Sequence, residues 1–235
     1  MAGLLASMAR QMSYKNETSI FISDDQRAAI MRAAFFAYHR GTPPAAVIFD
    51  TNRVWTARLP LLARLFPDCR VICMVRSMPM IIDSFERLFR ENPLMPSRMF
   101  DHDPGTNLYT RTDTLLAPGG TLAFAYNALR DAVWGRNARR LLLLRYESLA
   151  ADPAYAMRVL CDFIGEPAPA FDFDNVALDE PAYDAQLGLP GLHRVSGPVL
   201  HREREPALPP DLIRRLRLLS FWDDPAAAPA GVTIV

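Results

Sequence analysis

In the first part of the chain the apolar residues have helical spacing. Residues 3–11 form a short amphipathic run, and a longer one extends from just after Ser23 to about Tyr38. Ser23 and the two acidic residues after it are typical of a helix start, because a serine hydroxyl accepts a backbone N–H of the first turn. We expect two helices here and a break at residues 41–44, which contain one glycine and two prolines.

Three short apolar runs then have the composition of buried strands, at residues 46–49, 70–75 and 140–144. Each is followed by polar residues and by a segment with helical spacing, the last of which spans residues 153–164. Strands that alternate with helices predict a parallel β-sheet covered by helices on both faces. The sequence therefore predicts an α/β fold, in a single domain that covers residues 1–235.

Two longer stretches have no regular period. Residues 92–105 are rich in proline, aspartate and methionine, which indicates a surface excursion of the kind that often shapes a substrate site. Residues 168–204 contain several glycines and predict a long loop over the carboxyl edge of the sheet. A final helix is expected at about residues 209–219.

Polar residues at the ends of the predicted strands supply the candidate chemistry. Ligands of parallel sheets collect at the carboxyl ends of the strands, which brings residues 50–53, Arg76 and Arg145 with Tyr146 to one edge. Ser84 follows Arg76 by eight positions, on the next predicted helix. An arginine fork and a serine hydroxyl near a helix N-terminus both hold phosphate oxygens. Taken singly, such residues are also ordinary solvent-facing side chains.

The stretch that contains these residues resembles a known family. Leu65-Phe66-Pro67-Asp68, Arg76 and Ser84 are similar to the 3′-phosphate-binding segment of sulfotransferases. These enzymes use 3′-phosphoadenosine-5′-phosphosulfate (PAPS) as the donor of a sulfuryl group. The resemblance implies that PAPS is a co-substrate.

A second match follows in the right order. Residues 141–149 end in Arg-Tyr-Glu-Ser-Leu and resemble the family's strand-Tyr-Glu-Asp-Leu pattern. The family's Asp-Pro and Phe-Leu-Gly patterns are matched by Asp152-Pro153 and by Phe163-Ile164-Gly165. Together the two matches cover about residues 47–167, the expected nucleotide-binding core. They imply a P-loop-NTPase-like sulfotransferase fold.

The resemblance implies that five residues contribute to nucleotide binding. Arg76 and Ser84 would bind the 3′-phosphate, and Tyr146 would lie beside the adenine or the ribose. His193 and Arg194 lie in the glycine-bounded segment where the family folds a basic loop over the nucleotide. Two alternatives stay open: Tyr146 also fits a core tyrosine that caps its own strand, and the His-Arg pair also fits a solvated loop.

Asp50 and Arg53 are the candidate catalytic residues. Their segment resembles the one after the second family strand, where many sulfotransferases place a Lys or His near the transferring sulfuryl group, and this chain has neither there. Arg53 would stabilise charge on the sulfonate, and Asp50 would position a group or act as a base. The alternative is an Asp50–Arg53 ion pair that closes the loop.

The family's usual first strand and its Lys- or Arg-containing phosphate loop have no counterpart in residues 1–235. The expectation is an N-terminally truncated member with a weakened hold on the 5′-phosphosulfate. Three functions stay open: a PAPS-dependent sulfotransferase acting on a hydroxyl or amine, a catalytically degenerate nucleotide-binding or interaction protein, and a P-loop-related kinase. The kinase is disfavoured because its glycine-rich Lys-Ser/Thr loop is absent.

Charge and composition limit the partners. Lysine plus arginine equals aspartate plus glutamate, at 26 each, so charge gives no reason to expect nucleic acid or an anionic membrane as partner. No apolar run approaches the roughly 18 residues of a membrane span, and a signal peptide is lacking, which predicts a cytoplasmic protein. The three cysteines lack metal-ligand spacing, so no metal is expected. The expected partner is a small-molecule or peptide acceptor, and a homo-oligomer is left open.

Overall fold

The computed structural model describes residues 1–14, 16–43, 46–91, 107–188, 190–202, 204–224, 228–229 and 231–235. Its α-helices, in chain order, are α1 (Ala2–Gln11), α2 (Thr18–Phe21), α3 (Asp24–Tyr38), α4 (Val54–Ala57), α5 (Leu59–Leu65), α6 (Met78–Glu91), α7 (Leu108–Leu116), α8 (Thr121–Trp134), α9 (Tyr146–Ala151), α10 (Pro153–Ile164), α11 (Pro181–Leu187) and α12 (Pro210–Arg217). Its strands are β1 (Val71–Val75), β2 (Leu141–Arg145), β3 (Val176–Leu178), β4 (Val195–Gly197) and β5 (Thr233–Ile234).

The central sheet consists of three parallel strands in the order β1-β2-β5. β1 and β2 pair along their whole length, from Val71 opposite Leu141 to Val75 opposite Arg145. β5 pairs with the middle of β2. Helices flank this sheet, so the predicted α/β fold is confirmed.

β2 is buried on both of its faces. Leu141, Leu142, Leu143 and Leu144 are each at most 1% exposed. Because successive side chains of a strand point to opposite faces, Leu141 and Leu143 join the main core with residues of β1, α5 and α6. Leu142 and Leu144 join a second cluster with α10. A continuous apolar run is therefore what this strand requires.

Capping residues set the boundaries of two of the predicted helices, and the Ser23 cap was itself predicted. The Ser23 hydroxyl accepts the Gln26 backbone N–H (3.3 Å), and the Gln26 side chain accepts the Ser23 N–H (2.8 Å), which starts α3. α10 starts where Asp152 accepts the Tyr155 N–H (2.9 Å) and ends at Gly165, whose φ of 78° a glycine adopts without strain. Within the described residues, no helix combines the length and the apolar composition that a membrane span requires.

The strand predicted over residues 46–49 is wrong, since these residues are irregular. A strand needs a neighbouring strand for its hydrogen bonds, and no strand of the described residues pairs with this segment. Val47 and Phe49 are 44% and 63% exposed, so the run is not buried like a strand of a parallel sheet. It forms part of the wall of an apolar cavity instead.

The loop predicted over residues 168–204 is only partly irregular. It contains β3, α11 and β4, and the two strands pair antiparallel with Val176 opposite Gly197. Each of these strands has three residues, too few for alternation to be recognised in a sequence. The surface excursion predicted at residues 92–105 lies outside the described residues.

Replacing Leu143 with alanine is expected to lower the free energy of unfolding by about 2–5 kcal/mol, because a fully buried side chain leaves a cavity. Urea unfolding followed by circular dichroism measures the change. Leu218→Ala is the matched control, because Leu218 is 84% exposed. For the control we expect a change below about 0.5 kcal/mol. Equal destabilisation by both substitutions would contradict the central position of β2.

Candidate functional site

The in-register pairing of β1 and β2 brings two predicted site residues together. Val75 lies opposite Arg145, so the residues that follow them, Arg76 and Tyr146, leave the sheet side by side. The guanidinium carbon of Arg76 lies 4.3 Å from the centroid of the Tyr146 ring. Such cation–π stacking restrains both side chains at the carboxyl edge of the sheet.

Arg76 has hydrogen-bonding capacity that the protein does not use. Its Nε is buried and has no hydrogen-bond partner among the described residues. A shielded N–H donor of this kind is typical of a site that a bound group completes. Phosphate oxygens match the planar guanidinium fork, so Arg76 fits the phosphorylated nucleotide that the sequence resemblance implies.

Two side chains hold the turn that carries Arg76. Glu147 accepts the Ser77 backbone N–H through Oε1 (3.2 Å), and the Ser220 hydroxyl accepts the Met78 N–H (2.8 Å). The first N–H groups of a helix have no partner within the helix, and here the protein itself satisfies these two at the start of α6. A phosphate bound at this edge would therefore depend on side chains more than on these two amides.

Ser84 lies further along α6 than the sequence suggested. It is the seventh residue of the helix and so belongs to the second turn, not the first. The buried face of α6 carries Met78, Ile82 and Glu86. Ser84 is half-buried on another face, which it shares with Ser77 two turns earlier. Convergence of Ser84 with Arg76 on one phosphate stays a prediction.

Arg145 lies close to a carboxylate. Its Nε lies 3.9 Å from Oδ1 of Asp223, in the short 3-10 turn after α12. Burial raises the pKa of the Asp223 carboxyl; the Arg145 guanidinium opposes this shift and the Glu147 carboxylate adds to it. The carboxyl edge thus combines two guanidinium groups with two carboxylates.

Asp50 and Arg53 do not pair with each other. Oδ2 of Asp50 lies 4.0 Å from Nε2 of His39 and 3.6 Å from the Met1 amino nitrogen. The guanidinium carbon of Arg53 lies instead 5.9 Å from the centroid of the Phe124 ring. The alternative interpretation as a loop-closing ion pair is therefore wrong. Sequence reasoning missed His39 because it lies at the end of a different element, α3.

Arg53 borders two cavities. One, of about 520 Å³, also contacts Gly120, Phe124, Asn127 and Asp131. The other, of about 550 Å³, is lined mainly by apolar residues and extends past Asp50 to the outer side of β1. Both volumes lie in the range of small-molecule sites. The candidate catalytic residues thus border spaces that are large enough for an acceptor.

A sequence model of the sulfotransferase family matches residues 5–170, which is most of the chain. The chain belongs to the sulfotransferase family. No curated protein matches it. The matched range includes the carboxyl edge with Arg76, Ser84 and Tyr146, and it ends before the unit formed by β3, α11 and β4.

His193 and Arg194 lie outside the range matched to the sulfotransferase family. Nδ1 of His193 is 2.5 Å from Oδ1 of Asp184, whose Oδ2 accepts the His193 backbone N–H (2.9 Å). Asp184 is fully buried. Burial opposes its ionisation, but hydrogen bonds from the His193 backbone and ring outweigh burial and hold the pKa of Asp184 below its ordinary value. Asp184 thus orients His193, while Arg194 is exposed.

The nucleotide-binding role of His193 and Arg194 stays a prediction. In the part of the chain that the structure describes, the contacts of His193 are with Asp184 and Tyr183. The Arg194 backbone N–H donates to Gly191 (3.2 Å). These contacts stabilise the unit around α11 without joining it to the stacked Arg76 and Tyr146.

Asp83 fixes the later part of the chain to α6, directly beside Ser84. Its Oδ1 accepts the Ala207 N–H (2.8 Å), and its Oδ2 contacts Arg87 (2.8 Å) and Arg204 (2.7 Å). Asp83 is 1% exposed. Burial alone would raise its pKa, but the Arg87 hydrogen bond, the Ala207 N–H and the Arg204 charge lower it below the ordinary value. Among the described residues, no group of three His, Cys, Asp or Glu side chains is placed to hold a metal ion.

Asp83→Asn is expected to cost about 3 kcal/mol of unfolding free energy at neutral pH, because a neutral amide cannot replace the charge-assisted contacts that the buried Asp83 carboxylate makes with Arg87 and Arg204. The folded-state pKa of Asp83 is depressed, so its contribution is full above the unfolded pKa and is lost as pH falls through the folded pKa. The difference from wild type should therefore shrink below about pH 4, as measured by urea unfolding across pH.

The control for this experiment is Asp113→Asn. Asp113 also pairs with an arginine, Arg215, at 2.8 Å, but its side chain is 62% exposed. We expect a change of at most about 1 kcal/mol for such a surface pair. Two results would contradict the anchoring role of Asp83. One is a loss of unfolding free energy in Asp83→Asn at neutral pH that is no larger than in Asp113→Asn. The other is a loss that stays the same in acid.

Proposed function

We propose that this chain binds a 3′-phosphorylated adenosine nucleotide and transfers a sulfuryl group from PAPS to a hydroxyl or amine of a small-molecule or peptide acceptor. The observation that supports this proposal is the Arg76 guanidinium, which is stacked on Tyr146 and has a buried Nε without a partner in the described residues. It lies at the carboxyl edge of a parallel sheet, where such folds bind ligands. Membership of the sulfotransferase family is consistent with this chemistry.

Each residue of the edge has a physical role in this proposal. Arg76 donates to the 3′-phosphate, and Ser84 adds a hydroxyl donor from α6, the helix that follows Arg76. Tyr146 is 42% exposed, so part of its ring is available to pack on the ribose or the base. PAPS supplies the sulfuryl group on a phosphate that serves as leaving group.

The acceptor would enter one of the two cavities that Arg53 borders. Sulfuryl transfer requires neutralisation of charge on the sulfonate and removal of a proton from the acceptor. We assign the first requirement to Arg53, which lines both cavities, and the second to Asp50, whose Oδ2 lies 4.0 Å from Nε2 of His39. The apolar lining of the larger cavity favours an acceptor with an apolar body.

Arg76→Ala is expected to weaken binding of adenosine 3′,5′-bisphosphate by more than tenfold, because it removes a charge-assisted contact worth about 1.5–3 kcal/mol. Isothermal titration calorimetry measures the affinity, and circular dichroism checks the fold. Arg217→Ala removes the same charge from an exposed position of α12 and should leave the affinity unchanged. Unchanged affinity in a folded Arg76→Ala protein would refute the assignment.

Comparison of nucleotides and a turnover assay test the remaining steps. The wild-type protein is expected to bind adenosine 3′,5′-bisphosphate at least about tenfold more tightly than AMP, because AMP lacks the phosphate that Arg76 holds. Consumption of PAPS in the presence of phenolic or amine acceptors measures transfer. Equal affinity for the two nucleotides would exclude the 3′-phosphate site. Tight binding without PAPS consumption would instead identify a catalytically degenerate nucleotide-binding protein.

A further inference from the structure

Buried polar atoms without hydrogen-bond partners concentrate near the carboxyl edge. Of the eight such side-chain atoms in the described residues, four belong to Arg76, Arg145, Glu147 and Trp222. Arg76 directly follows β1, Arg145 ends β2, and Glu147 is the second residue after β2. Trp222 lies in the turn that supplies Ser220. Folded proteins rarely leave such atoms unsatisfied, and their concentration indicates a place that a ligand or water completes.

Glu147 is the acceptor of this group. Its Oε1 accepts the Ser77 N–H at 3.2 Å, while its Oε2 is buried and unpartnered among the described residues. An ionised carboxylate oxygen accepts hydrogen bonds and donates none. The two neighbouring guanidinium groups are directed elsewhere, Arg76 to the Tyr146 ring and Arg145 toward Asp223 at 3.9 Å. Oε2 therefore has no donor within the described chain, and a donor supplied by a ligand would satisfy it.

A phosphate is not the partner of Oε2. Phosphate oxygens are acceptors at neutral pH, and a second anion beside a carboxylate is repelled. Glu147 nevertheless bonds Ser77, the residue directly after Arg76, so it lies next to the proposed phosphate position. A ligand that satisfies both residues must carry an O–H or N–H donor close to its phosphate.

We infer that Glu147 is a specificity-determining residue whose Oε2 accepts a hydrogen bond from the ribose 2′-hydroxyl of the bound nucleotide. This inference rests on the proposed function, in which Arg76 holds the 3′-phosphate. The 2′-hydroxyl is on the ribose carbon adjacent to the one that bears that phosphate. Among the hydrogen-bond donors of the nucleotide, the 2′-hydroxyl is therefore the one held covalently nearest to the 3′-phosphate.

The site is therefore selective for ribonucleotides. Removal of the 2′-hydroxyl leaves the buried Oε2 without a partner, and hydrogen bonds to charged groups have a large effect on affinity. We expect 2′-deoxyadenosine 3′,5′-bisphosphate to bind the wild-type protein about tenfold to a hundredfold more weakly than adenosine 3′,5′-bisphosphate.

The test is the ratio of the two dissociation constants, measured by calorimetry on the full chain. In Glu147→Ala the ratio should fall to about one, because the acceptor is gone. In Glu147→Gln the amide oxygen can retain the Ser77 N–H, so the amide NH2 replaces Oε2 and can only donate to the oxygen of the 2′-hydroxyl. The ratio should then be intermediate, because this reversed hydrogen bond lacks charge. A merely structural role of Glu147 in the turn would weaken both nucleotides equally and leave the ratio unchanged. Glu166→Ala, at an exposed position, is the control that should keep the wild-type ratio.

Three outcomes separate the inference from the function on which it rests. A wild-type ratio near one, with both nucleotides bound, overturns the role of Glu147 and leaves the 3′-phosphate site intact. A ratio that stays at its wild-type value in both Glu147 variants overturns it as well. If the wild-type protein binds neither nucleotide, the proposed function and the inference fall together. If Glu147→Ala does not fold, Glu147→Gln alone decides: a ratio below the wild-type value supports the inference, and an unchanged ratio overturns it.

Discussion

The parallel pairing of β1 with β2 determines where the chemistry of this protein lies. In their register Val75 lies opposite Arg145, so the next residue of each strand, Arg76 or Tyr146, leaves the sheet at the same level. Arg76 and Tyr146 stack because their strands end at the same level. The pairing itself depends on β2, whose four leucines are buried on alternate faces of the sheet. Burial of apolar side chains thus fixes the position of a guanidinium group.

Carboxylates contact this edge and the helix that follows it from several directions. Glu147 holds the turn after β1, Asp223 lies near Arg145, and Asp83 ties Arg204 to α6. Glu86, also on α6, accepts two hydrogen bonds from Arg111, at 2.7 and 2.8 Å. Carboxylates are rarely buried unless they are paired, so these arginines are part of the same arrangement. The edge is consequently built from compensated charges rather than from a net positive patch.

Helix ends could be predicted from the sequence where a single residue determines them. Ser23, Asp152 and Gly165 set helix ends through their own hydrogen bonds or backbone angles, and the predicted boundaries of α3 and α10 agree with the structure. The apolar run at residues 46–49 has strand composition, but a strand also needs a partner, which no local pattern contains. The apolar run of β2 has strand composition as well, and it also has a neighbouring strand, β1, to pair with.

The candidate site was predictable only in part for the same reason. Arg76 and Tyr146 follow strands directly, so strand prediction alone placed them together. Ser220 and His39 come from elements distant in sequence, and only tertiary packing brings them to Met78 and Asp50. Glu147 was visible as part of a motif, but its two oxygens have different surroundings that no spacing rule reveals.

The unit of β3, α11 and β4 is held largely by its own interactions. The two strands pair with each other, and buried Asp184 binds His193 within the same unit. None of these hydrogen bonds belongs to the central sheet. Substitutions within this unit are therefore expected to leave the register of β1 and β2 undisturbed, and with it the stacking of Arg76 on Tyr146.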